Sequence, residues 1–96
     1  NSFASTSNYL CTGEGNRVNL KFDENKKIVI SNNKKSNVYT IKNGITFWHT
    51  MNGDYEYTSV VNSFYFQKAT GKLAIDSHSF THGYNKKYFM VCNKDY

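Results

Sequence analysis

The side chains best equipped for chemistry are three histidines, seven carboxylates and two cysteines. His78-Ser-Phe-Thr-His82 has the i, i+4 spacing that chelates zinc on a helix. On a strand the same spacing separates the Cα atoms by ~13 Å, too far for one metal ion. No glutamate follows His78, so the zincin pattern fails as well. Asp76 and His78, two apart, would share a strand face and could hydrogen-bond, but no activated nucleophile accompanies them. An enzyme built on Asp76, His78 and His82 would need all three to converge in one pocket. Asp23, Glu24, Asp54 and Asp95 fall in expected turns or near the terminus, and no two of these four stand at i, i+2 spacing. Calcium-loop, P-loop and dinucleotide fingerprints are absent. The expectation is a protein that is not an enzyme and that needs no metal or cofactor.

The cysteines carry a different chemistry. Cys11 and Cys92 stand 81 residues apart, near opposite ends of the chain. Neither has a second cysteine or a histidine at metal-ligand spacing, so a disulfide is expected over two buried free thiols. Closing so long a loop stabilises by ~4–5 kcal/mol in the chain-entropy treatment, comparable with the whole stability of a small domain. The bridge implies an oxidising compartment, periplasmic or secreted. The polar start Asn1 to Asn8 is expected to follow a removed leader. No Asn-x-Ser/Thr sequon occurs, so nothing points to N-glycosylation.

These groups must be positioned by strands. Apolar residues recur with period two, and helical spacing is sustained nowhere. Val18, Leu20 and Phe22 alternate with Arg17, Asn19 and Lys21, and Phe64 and Phe66 alternate with Ser63, Tyr65 and Gln67. In the last strand, about Lys87 to Asn93, Tyr88, Met90 and Cys92 fall on one side and Phe89 and Val91 on the other. Asn43-Gly44 accepts positive φ at both central positions and predicts a type I′ hairpin between Val38 and His49. Polar turns are expected at 23–26, 32–35 and 51–54, with a reversal at Thr70-Gly71. With 96 residues, 39% hydrophobic and no proline, the chain suits a single all-β domain over 9–96 behind a flexible segment 1–8. The fold class is an antiparallel meander of about seven to nine strands, closing into a small barrel or sandwich that hides its edges. No apolar run approaches the ~20 residues of a membrane-spanning helix.

Twelve basic against seven acidic residues give a net charge of +5. That balance invites a nucleic-acid reading. Arg17 is the lone arginine, however, and Asn-Lys-Lys recurs at 25–27, 33–35 and 85–87, where turns are expected. Solvated loop tips account for this pattern better than a phosphate-binding stripe, so nucleic acid is not the expected partner.

Aromatic residues make up 17% of the chain, more than one small core buries when strands alternate. Trp48, Tyr55, Tyr57, Tyr65 and Tyr84 are the candidate binding surface, since Tyr and Trp suit protein interfaces and stacking against sugar rings. The competing account is cross-strand aromatic pairing that only stabilises the sheet. The functional expectation is a non-catalytic exported or envelope-associated domain that contacts a protein or glycan. The alternative is a phage or virion accessory protein with a structural role.

Several segments, Tyr9-Leu-Cys11, Leu20-Lys-Phe22-Asp23-Glu24, Tyr39-Thr-Ile41, Ile45-Thr-Phe-Trp48, Phe64 to Thr70-Gly71-Lys-Leu73 and Tyr88 to Cys92, are spread over most of the chain. In this order they resemble small uncharacterised proteins of bacteria and their phages. Those families place an asparagine-arginine pair before Thr-Gly, where this chain has Lys68-Ala69. The resemblance implies a small β fold and export, and brings no activity or functional residue with it.

Overall fold

The computed structural model describes residues 6–52 and 60–95, and among these the chain is all-β. Nine strands follow one another: β1 (Thr6–Gly13), β2 (Asn16–Asp23), β3 (Ile28–Ser31), β4 (Ser36–Val38), β5 (Thr40–Lys42), β6 (Ile45–Asn52), β7 (Val60–Gln67), β8 (Lys72–Ser79) and β9 (Asn85–Lys94). β1 takes in Thr6, Ser7 and Asn8, which pair with Asp23, Phe22 and Lys21. The ordered sheet therefore begins earlier than the sequence pattern suggested, because these polar residues gain ladder hydrogen bonds that period-two hydrophobicity does not register.

All neighbours are antiparallel, in the order β4-β3-β2-β1-β9-β8-β7-β6-β5. The two edge strands, β4 and β5, are consecutive in the chain and separated by the single residue Tyr39. One stretch of backbone thus pairs first with β3 and then with β6, drawing the two ends of the sheet together into a nearly closed barrel. Closure hides edges that would otherwise present unpaired backbone groups. The Tyr39 N–H donates to the Lys27 carbonyl at 3.0 Å and ties this crossing point to the rest of the sheet.

The N- and C-terminal strands meet directly. β1 pairs with β9 over only four residues, Tyr9 to Thr12 against Lys94 to Val91, and Cys11 lies opposite Cys92. Their disulfide fastens this short ladder from the inside, with Cys11 fully buried. Gly71 sits against the same place: its φ is +76°, and a Cβ there would lie 2.6 Å from the Cys92 carbonyl oxygen. Only glycine meets both demands. Asn43 and Gly44 both have positive φ, as a type I′ hairpin requires, and so do Glu14-Gly15 and Asn32-Asn33.

The interior is aromatic. Phe22 stacks on Phe66 at 5.5 Å between ring centroids and meets Tyr9, Tyr39 and Trp48 edge-on at 5.5–5.8 Å. Trp48 stacks in turn on Phe64. Val18, Leu20, Val29, Leu73, Ile75 and Met90 fill the remaining core.

Candidate functional site

Period-two geometry sends alternate residues of β6 to β9 to the outside, and the register places them in rows. Phe47, Tyr65, Ala74 and Phe89 form one row across four neighbouring strands. The adjacent row runs Lys42, Ile45, Gln67, Lys72, Val91, Thr12 and Arg17. Phe89 is 65% exposed, Val91 53% and Tyr65 46%, with Phe47, Ile45 and Ala74 half-buried around them. An open groove of about 510 Å³ follows these rows, lined by Ile45, Tyr65, Ala74, Phe89 and Val91 together with Lys72. Singly exposed apolar side chains are ordinary, whereas a contiguous set on one wet face marks a contact surface.

The rim is cationic. Lys42, Lys72, Arg17 and Lys87 are exposed at or beside the two rows. The two carboxylates nearby are already engaged. Glu14 Oε2 accepts the Phe89 backbone N–H at 2.8 Å, and Asp76 Oδ1 accepts the Asn85 amide at 2.8 Å.

The expected surface residues meet different fates. Tyr65 lines the groove. Tyr84 is exposed elsewhere, at the β8–β9 turn, stacked on His82 at 6.3 Å with the Lys86 ammonium 5.1 Å from its ring centroid. Tyr55 and Tyr57 lie outside the described residues. Trp48 is corrected: it is 3% exposed, because its pairing with Phe64 puts both rings on the inner face. Phe89 and Val91, the most exposed apolar residues of the groove, were not expected in it. Their side of β9 was nonetheless legible, since a bridge through Cys92 turns Cys92 inward and its neighbours outward.

Asp76, His78 and His82 do not assemble a pocket. The Asn85 amide spans Asp76 and His78, at 2.8 Å and 3.4 Å, on the outer face. The His82 backbone N–H donates to Ser79 Oγ, and its ring lies on Tyr84. None of the three lines the groove or the cavities at the barrel ends. Among the described residues no group of three potential metal ligands comes together.

The two barrel ends differ chemically. One mouth holds a cavity of about 150 Å³ with Tyr9, Phe22, Tyr39 and Phe66 in its wall, and Lys68 reaches Glu24 at 3.5 Å beside it. Burial raises the Tyr39 phenol above its ordinary value; Glu24 and Asp23 push the same way, and Lys68 opposes them. At the other end a cavity of about 180 Å³ lies between β3–β4 and β6–β7, lined by hydroxyl, amide and ammonium groups together with Met51 and Phe64.

A nearly closed antiparallel barrel stapled between its terminal strands, with an apolar groove on its outside, is the class that fold and site define. No protein-family model, curated protein or solved structure matches the chain. A Cys11–Cys92 bridge is compatible with an extracytoplasmic location. Among the described residues no helix is long and apolar enough to cross a membrane.

Proposed function

We propose that this chain is a non-catalytic binding domain, exported to the periplasm or secreted, that docks a protein through the outer face of β6 to β9. The row Phe47, Tyr65, Ala74, Phe89 carries the reading: the exposed rings of Tyr65 and Phe89 stand beside half-buried Phe47 and Ala74 on the outer face, outside the core. Aromatic anchors within a polar rim are the usual anatomy of a protein interface. The rim cations Lys42, Lys72, Arg17 and Lys87 select an acidic partner, because opposite charges across an interface steer encounter and like charges reject it. A second copy of this chain would set cation against cation.

Peptide display tests this. Selection from a random-peptide library on the wild-type protein is expected to enrich peptides that combine Asp or Glu with Phe, Trp or Leu. The Tyr65→Ser/Phe89→Ser variant should lose that enrichment while still unfolding in one cooperative thermal transition. Failure to enrich, or enrichment indifferent to the variant, overturns the proposal. A dimer in sedimentation that the same substitutions dissolve would overturn the acidic partner and favour the structural, virion-type alternative.

A further inference from the structure

We infer that the polar cavity between β4 and β6 binds a single sugar ring bearing a carboxylate. β5 pairs with β6 only from Lys42↔Ile45 to Thr40↔Phe47, and β4 pairs only with β3. From Trp48 onward β6 therefore faces β4 across an unladdered gap, and the cavity opens there. The inner-face pattern, largely apolar elsewhere, changes to Ser31, Asn37, Thr50 and Asn62 around this gap.

Polar groups buried in a protein interior are almost always hydrogen-bonded. Among the described residues Ser31 Oγ is buried with no partner, although Ser31 as a residue is only 8% exposed and lines the cavity. The Asn62 amide nitrogen donates weakly to Thr50 Oγ1 at 3.4 Å, and the Asn37 amide nitrogen to the Lys35 carbonyl at 3.2 Å. Amide oxygens such as theirs can accept from hydroxyl groups. Among the described residues the lining has no carboxylate, while Lys34 and Lys35 stand exposed at its rim. Hydroxyls for the wall and one negative charge for the rim are what the site asks of a ligand.

Size and floor narrow the class. About 180 Å³ is below the ~300 Å³ at which drug-sized pockets begin, and holds about six waters or one small ring. Phe64 lines the cavity and stacks on Trp48 at 5.0 Å, giving an aromatic wall against which the apolar face of a ring can pack. The Trp48 indole N–H, also without a partner among the described residues, belongs to the same ring stack.

Trp48 is the chain's one tryptophan, so the stack reports on its own occupancy. Glucuronate titrated into the intact, oxidised protein is expected to change Trp48 fluorescence saturably. Glucose, lacking the charge, and acetate, lacking the ring, should each bind at least about tenfold more weakly. Lys34→Ala/Lys35→Ala should lower the glucuronate affinity about tenfold, and so should Asn62→Ala, whose side chain lines the cavity and is half-buried, with the urea midpoint of each variant preserved. Amide chemical-shift changes should centre on Ser31, Thr50 and Asn62. No saturation by about 10 mM, acetate binding as tightly as glucuronate, or variants with undiminished affinity would each overturn the inference. The groove on the outer face plays no part in this test, so either site can fail without the other.

Discussion

Along β7, Phe64 and Phe66 point into the barrel and Tyr65, between them, points out. The inner pair belongs to a ring cluster joined through Phe22, Trp48 and Tyr9, while Tyr65 shares its outer row with half-buried Phe47 and exposed Phe89. Neighbouring residues of one type thus take opposite roles. Aromatic area removed from solvent stabilises the fold, and the same area left on the surface is free to stabilise a complex. Inner-face substitutions should therefore act on folding, and outer-face substitutions on binding.

The largest test removes the staple behind the inner face. Cys11→Ser/Cys92→Ser should cost about 4.5 kcal/mol of unfolding free energy, since the bridge closes an 81-residue separation in the unfolded chain. Urea denaturation with and without reductant measures it, and a midpoint indifferent to the bridge would show that the four-residue β1–β9 ladder suffices alone. Phe66→Ala empties the centre of the ring cluster, where Phe66 is 2% exposed, and should cost about 4 kcal/mol. A small effect there would erase the distinction between the two faces.

Tyr39 sharpens the comparison through pH. Its phenol is raised by burial, so the folded protein holds this proton more tightly than the unfolded chain does. The stabilisation is complete below the ordinary tyrosine range, near pH 10, and is lost as pH rises through the folded-state value. Tyr39→Phe should flatten that part of the alkaline decline in stability, read as urea midpoints on either side of pH 10. Tyr65→Ser and Phe89→Ser should shift stability by no more than about 1 kcal/mol while abolishing peptide binding. Smallest of all, Lys68→Ala should be nearly silent in thermal unfolding, because its ion pair with Glu24 is exposed on both sides.

Much of the fold was legible in local chemistry. Alternation marked the inner residues of β2, β7 and β9, and Asn43-Gly44 marked its hairpin. β6 misled, for a physical reason. Its apolar residues Ile45, Phe47 and Met51 share the outer face, and Thr46 and Thr50 share the inner one with Trp48. Hydrophobic alternation thus points the wrong way on that strand, and Trp48 reads as a surface residue. Only its partner, Phe64, fixes its side. The polar gap was equally hidden, because Ser31, Asn37, Thr50 and Asn62 are far apart in the chain and carry no motif.

The amino-acid sequence alone determined that this protein would be made of strands, where most of them turn, and that two cysteines were available to join its ends. Those properties follow from side-chain period and turn chemistry within a few residues. Tertiary structure decided which aromatic faces are wet, because that depends on register between strands. It also decided where the barrel fails to close, because the backbone from β4 through Tyr39 to β5 changes partner partway along, leaving a gap that local residue preference does not encode.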